Sequence, residues 1–310
     1  MSDKLFAQRL KNFRTEGEPS AFNLAAVAEA LDTISRLNEQ NVGGETVQQR
    51  LGQYKSWDPE VFRVDKDTED GYRRRLEERG LPVVLLSEEA ERVEINLQKA
   101  GESSYCVADP FDGSYLFKRG IPDFWYSSLS FFDKSFNPLS CAVGDGVHRN
   151  IAFANSRGAF LAKLDGERLV HRVQLNAQYR ELMGRKDVTD ITKASIESYA
   201  MKPKKFLTPL VEKWKTLMEP FKFFLPNGGP YGFVDVAEGK IDCYFAVRQP
   251  FVDIFSGLYV GLQAQTIVTD FDGRPVKCSD DVHSLHDVVA STNRKLHDQV
   301  LELIAKCRAS

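Results

Sequence analysis

Two short apolar runs, Val83–Leu86 and Tyr105–Ala108, constrain this chain most. Each is too brief for a self-burying helix and has the composition of a strand covered on both faces. Each also ends abruptly in acid. The first delivers Ser87-Glu88-Glu89, and the second runs into Asp109-Pro110-Phe111-Asp112-Gly113-Ser114. A fold built on such strands carries carboxylates at the strand tips, where hard divalent cations find oxygen ligands.

Magnesium prefers carboxylate oxygens, keeps several waters and takes substrate phosphate as a further ligand. In Asp109–Asp112 the proline fixes one φ angle, so that both carboxylates can converge with a main-chain carbonyl between them. Gly113 permits close backbone approach. A helix beginning at Ser114 or Tyr115 would turn its free N–H groups toward a phosphate. The competing reading is an ordinary Asp-Pro/Asp-Gly turn, since these are the usual turn residues. Asp270-Phe271-Asp272-Gly273 lacks the proline and an acidic neighbour, and is read as a structural turn.

Of 310 residues, 42% are apolar and 27% charged, enough to bury a core in one large domain or two lobes. A net charge of −3 gives no reason to expect nucleic acid or an acidic membrane as partner. Five widely spaced cysteines without a CxxC fit a reducing, cytoplasmic setting. No apolar run reaches membrane-spanning length.

The patterning predicts helices over Ala21–Leu37 (with Ser20 as N-cap), Asp67–Gly80, Ile191–Ala200, Thr208–Met218, Gly232–Glu238, Ile254–Gln263 and Asn293–Cys307. Ser127–Phe132, Cys141–Val143, Ile151–Asn155 and Ala159–Leu164 predict an antiparallel meander, with a hairpin turn over Leu164–Arg168. Ile241–Val247 and Thr266–Thr269 predict further strands. The expected organisation is an N-terminal extension over 1–20, an α+β lobe over 21–185 bearing the metal site, and an α/β lobe over 186–310 completing it.

Glu88-Glu89, Asp109-Pro110-Phe111-Asp112-Gly113-Ser114 and a late Asp253 followed by Gly257 resemble the inositol monophosphatase and fructose-1,6-bisphosphatase superfamily. Val236–Asp242 and Val289–Asn293 are similar to two further segments of that family, and Arg157-Gly158-Ala159 matches a third in part. The resemblance covers roughly 60–305. It implies an α/β (α+β) fold, a layered αβαβα sandwich in two lobes. The implied activity is hydrolysis of a small phosphate monoester with two or three Mg²⁺ ions, for which Mn²⁺ could substitute. Glu88, Asp109, Asp112 and Asp253 would ligate metal by side chain and Phe111 by its carbonyl. Asp65, 23 residues before Glu88, would activate the attacking water, with Asp67 second in line, and Ser114 would orient that water. The amides of Gly113 and Ser114 would hold phosphate, and Glu89 would either support the metal ligands from behind or bind an additional ion. Homodimers are common in the family.

The chain departs from the pattern in its C-terminal part. Val252 stands where the family has Trp before the late aspartate, and Phe223–Pro226 replace an expected Arg. The glutamate that binds an inositol hydroxyl falls at Ala246, with Arg248 nearby as a candidate for a charged substrate group. The substrate therefore stays open between sugar and inositol phosphates. A relative that binds metal or a partner without turnover is the second reading, and a structural calcium module a weak third.

Overall fold

A computed structural model describes residues 17–50, 58–89, 91–99, 104–166 and 168–309. The expected extension over 1–20 therefore lies almost wholly outside the described residues. The chain forms two compact units. One comprises the described residues up to Arg172 together with Cys278–His283, and the other comprises Val173–Lys277 with the described residues from Ser284 onward.

The first unit opens on helix α1 (Gly17–Glu39), followed by β1 (Thr46–Gln49), β2 (Glu60–Phe62), α2 (Arg63–Glu78), β3 (Val83–Ser87), β4 (Glu91–Ile95) and β5 (Ser104–Asp112). A five-residue α3 (Ser114–Lys118) leads to β6 (Tyr126–Phe132), β7 (Pro138–Asp145), β8 (Asn150–Asn155), β9 (Gly158–Asp165) and β10 (Arg168–Leu175). Eight strands form one sheet in the order β10-β9-β8-β7-β6-β5-β3-β4. Strands β6 to β9 are the predicted antiparallel meander, and β5 pairs antiparallel with β6. Strand β3 is parallel to β5, with Ser87 opposite Ala108, so both acidic segments lie at the same end of the sheet.

Helices α1 and α2 pack on each other, α1 against β6–β8 and α2 against β3 and β5. Their apolar stripes, among them Phe22, Val27, Leu31, Val64 and Leu76, join Leu85, Cys106, Leu129 and Phe153 in one core. Gly144 is required at this contact, because a Cβ there would lie 2.6 Å from Val27 Cγ1.

Three expectations fail here for local reasons. Helix α1 begins before Ser20, which is buried inside it and accepts a hydrogen bond from Asn155 Nδ2 at 3.3 Å instead of capping. Helix α2 begins at Arg63, because the Asp65 carboxylate accepts the Phe62 amide at 2.8 Å and closes the first turn there. The segment Asp109–Asp112 belongs to strand β5 instead of a free turn. It forms a β-bulge against β6, pairing Asp109 with Ser128 and Asp112 with Tyr126.

The second unit contains α4 (Ala177–Leu182), β11 (Ser195–Glu197), α5 (Thr208–Met218), β12 (Phe223–Leu225), α6 (Gly229–Glu238), β13 (Cys243–Pro250), α7 (Phe251–Gln263), β14 (Ile267–Asp270), β15 (Leu285–Ser291) and α8 (Arg294–Ala309). Its sheet runs β12-β11-β13-β15-β14. Trp214 of α5 and Leu296, Val300 and Ile304 of α8 pack with Cys243, Phe245 and Val289. Tyr244, pointing the other way along β13, meets Phe233 of α6 edge to face. Helices thus cover both faces of this sheet. The helix expected over Ile191–Ala200 is a short 3-10 turn (Ile191–Lys193) followed by β11, which is buried between two parallel neighbours.

Candidate metal and phosphate site

The first unit gathers most of the residues singled out in the sequence. Glu88 follows the last residue of β3, and its amide donates to Ala108 O at 3.2 Å, next to Asp109. Glu88 and Asp109 are buried, and each offers a carboxylate oxygen within 4.8 Å of the other. The bulge in β5 turns the chain between the two aspartates, as bulges beside functional sites do. Ser127 Oγ holds it by donating to Pro110 O at 2.6 Å, and the Tyr72 hydroxyl lies 2.6 Å from the same Oγ.

Gly113 follows with φ 103°, in the left-handed region that favours glycine. A Cβ there would stand 1.8 Å from Phe124 O, so no other residue fits. Helix α3 then starts at Ser114. Phe117 of this helix meets Phe111 edge to face and Trp125 at a tilt. Phe124 and Tyr126 are buried as well, so this aromatic group packs the core, while Tyr115 is exposed.

The Ser114 hydroxyl donates to Asp65 Oδ1 at 2.5 Å and lies 3.4 Å from Phe111 O. Burial pushes the Asp65 carboxyl above the usual carboxylate range, against the Ser114 and Phe62 hydrogen bonds that favour its charged form. Asp67, the second candidate for that place, turns to Arg63 at 3.4 Å on the outer face of α2. The Glu89 side chain is only 5% exposed, and burial followed by the charge of Glu88 raises its carboxyl too. Glu69, one turn after Asp65 on α2, is a further buried acid that accepts a hydrogen bond from Ser87 Oγ.

This donor set is all oxygen, buried and dense in negative charge, and it fits a hard dication such as Mg²⁺ or Mn²⁺. The carboxylates that burial and mutual repulsion raise are those a dication would return to their charged forms.

Arg50 was not singled out in the sequence. It follows β1, and its Nη2 donates to Glu88 Oε1 at 3.3 Å and to Glu89 Oε1 at a shorter distance. No local cue links it to acids 38 and 39 residues away.

The remaining candidates stand in the second unit. Asp253 is buried in the first turn of α7, just after Pro250. Gly257, one turn on, allows α7 to meet α6, since a Cβ there would stand 1.8 Å from Pro230 O. Arg248 is exposed on a bulge of β13 at φ 50°, with its amide donating to Asp287 Oδ1 at 2.8 Å.

No family model matches the chain. It is 27% identical over 288 residues to a fructose-1,6-bisphosphatase/inositol-1-monophosphatase of Thermococcus kodakarensis, a match spanning 91% of this chain and 97% of that protein. A fructose-1,6-bisphosphatase of Pyrococcus furiosus is 27% identical over 251 residues, 78% of this chain and 82% of that protein. Among solved structures, the extragenic suppressor protein SuhB of Bartonella henselae superposes with a TM-score of 0.70 at 17% identity, covering 92% of this chain and 97% of that one. An inositol monophosphatase–fructose 1,6-bisphosphatase superposes with a TM-score of 0.67 at 20% identity, covering 91% and 98%.

The fold is therefore that of the layered sugar-phosphatase class, as the sequence led us to expect. In sequence and in fold the chain is similar to the fructose-1,6-bisphosphatases and inositol monophosphatases, which are phosphoric monoester hydrolases. No helix among the described residues is long and apolar enough to cross a membrane.

Proposed function

We propose that this chain is a Mg²⁺-dependent phosphomonoesterase acting on a small phosphorylated metabolite, a sugar phosphate or an inositol phosphate. The observation that carries this reading is the Asp65–Ser114 pair set beside the buried carboxylates of Glu88 and Asp109 at one end of one sheet.

Glu88, Asp109 and Asp112, with the carbonyl of Phe111, would hold the metal, and the family resemblance adds Asp253. When bound, such an ion lowers the pKa of water and neutralises charge on phosphoryl oxygens. The rest falls to the protein's own groups. Ser114 Oγ, fixed by its bond to Asp65, orients a water for in-line attack, and Asp65 takes the proton through that hydroxyl. The amides of Gly113 and Ser114, open at the start of α3, cradle phosphate oxygens. Arg248, exposed and positively charged, is the candidate contact for a second anionic group on the substrate. A homodimer in solution is part of the same proposal, from the family resemblance alone.

The test is a panel of phosphate monoesters, including fructose 1,6-bisphosphate and inositol 1-phosphate, assayed with and without Mg²⁺. Hydrolysis that requires the metal is expected on at least one member. Metal binding without turnover on any member would favour a non-enzymatic relative.

A further inference from the structure

Arg50 is held from two sides. Its Nη1 donates to Asp58 O at 2.9 Å and to Glu60 O at 3.3 Å, at the entry to β2, while Nη2 reaches Glu88 and Glu89. Its own amide donates to Pro59 O at 2.8 Å. The side chain is 11% exposed and those of its glutamate partners 5%. Burial alone would weaken the guanidinium's hold on its proton, but the charges of Glu88 and Glu89 outweigh it and hold Arg50 above its ordinary range.

The backbone carbonyls fix the guanidinium, and the pair of acids it neutralises includes a proposed metal ligand. A planar fork suits this position, since one nitrogen takes the carbonyls and the other the carboxylates. A dication approaching Glu88 must take that carboxylate from a preorganised, partly desolvated ion pair, which is stronger than a surface pair.

We infer that Arg50 is a tethered cation of the metal site, placed by the Asp58 and Glu60 carbonyls to compete with the divalent ion for Glu88 and Glu89. It thereby sets how tightly and in what number metal ions bind. The inference rests on the metal reading of the acidic cluster given above. Arg50 stays paired with Glu89, and yields Glu88 only to an ion that offers more than one positive charge. Divalent cations therefore bind more weakly than the count of acids would suggest, and monovalent cations do not displace the guanidinium.

Calorimetric titration of Mg²⁺ and Mn²⁺ into the substrate-free protein tests this without reference to turnover. Arg50→Ala is expected to bind metal about tenfold more tightly, or to take up an additional ion. Arg50→Lys is expected to fall between the two, since its compact ammonium lacks the fork. In EDTA, Arg50→Ala should melt below wild type, and Mg²⁺ should raise its Tm more than it raises that of wild type. Arg50→Lys keeps a positive charge and serves as the folded control if the alanine variant does not fold. Unchanged or weaker metal binding by both variants would overturn the inference, as would equal Tm losses with and without Mg²⁺. Binding that ignores Arg50 sinks this inference alone, whereas no binding by any variant or by wild type sinks the metal reading with it.

Discussion

Two segments of this chain look alike in sequence. Asp109-Pro110-Phe111-Asp112-Gly113 and Asp270-Phe271-Asp272-Gly273 each carry two aspartates and end in glycine, and each begins on the last residues of a strand. In the second, Asp270 Oδ1 accepts the amides of Asp272 and Arg274, both at 2.8 Å, and so serves its own turn. Asp272 is exposed and pairs with Arg308 at 2.6 Å. In the first, a bulge held by Ser127 buries Asp109 beside Glu88, and Ser114 reaches across to Asp65. Similar residues therefore do different work. An aspartate that closes its own turn has its carboxylate held by its own backbone, whereas one buried against other acids calls for a cation.

The largest contrast lies in turnover. Asp109→Asn removes a proposed metal ligand and is expected to lower kcat/KM by several kcal/mol in the barrier, about 10³-fold or more. Asp270→Asn is expected to change it less than about twofold, with a stability loss of roughly 1 kcal/mol in urea denaturation. Comparable activity losses in both variants would erase the distinction between the two segments.

Asp65→Asn keeps the side-chain shape but not the base. A loss in kcat of about 10²–10⁴-fold with KM little changed is expected, the usual worth of a positioned acid–base group. An unchanged kcat would remove Asp65 from the reaction.

The two glycines sharpen the comparison through stability. Gly113→Ala meets a fixed carbonyl at 1.8 Å as well as an unfavourable φ, and about 3 kcal/mol or more of destabilisation is expected. Gly273→Ala has φ 76° and meets only Leu301 Cδ1 at 3.2 Å, so about 1 kcal/mol is expected. Equal losses in urea midpoints would contradict the packing described at Gly113.

The last effect appears only as pH is lowered and concerns the second segment's support. His297 is buried, with Nε2 2.9 Å from Thr269 Oγ1 beside Asp270 and Nδ1 3.2 Å from Ser291 Oγ. Burial, then the charge of Arg294, pushes its imidazole from the ordinary 6.5 down to about 4. The folded state therefore favours neutral His297. Its contribution is complete above pH 6.5 and is lost as pH falls from there toward 4, where the unfolded chain binds the proton more readily. His297→Gln should flatten the urea midpoint against pH across that window. An unaltered pH slope would assign the acid sensitivity to other groups.

How much of this was legible in the sequence follows from the range of the forces involved. Helix α5 was read to its last residue, because its apolar spacing and Pro209 near its start are local signals. The meander strands were visible for the same reason. Strand β11 was mistaken for helix because its three residues have no period of their own and are held by parallel neighbours on both sides. Strands β4 and β12 were missed altogether, at five and three residues. At the site, the acids and Ser114 stood out through residue type and order. The bulge that aims them did not, since it depends on Ser127 and Tyr72 from other elements. Arg50 was hidden because a long-range ion pair leaves no local pattern.

The most direct measurement follows hydrolysis of a responsive phosphate monoester through removal and return of metal. If the acids at the ends of β3 and β5 hold a catalytic dication, EDTA abolishes turnover, Mg²⁺ restores it in the wild type, and Mg²⁺ does not restore it in Asp109→Asn. Turnover that persists in EDTA, or that survives intact in Asp109→Asn, would contradict the account.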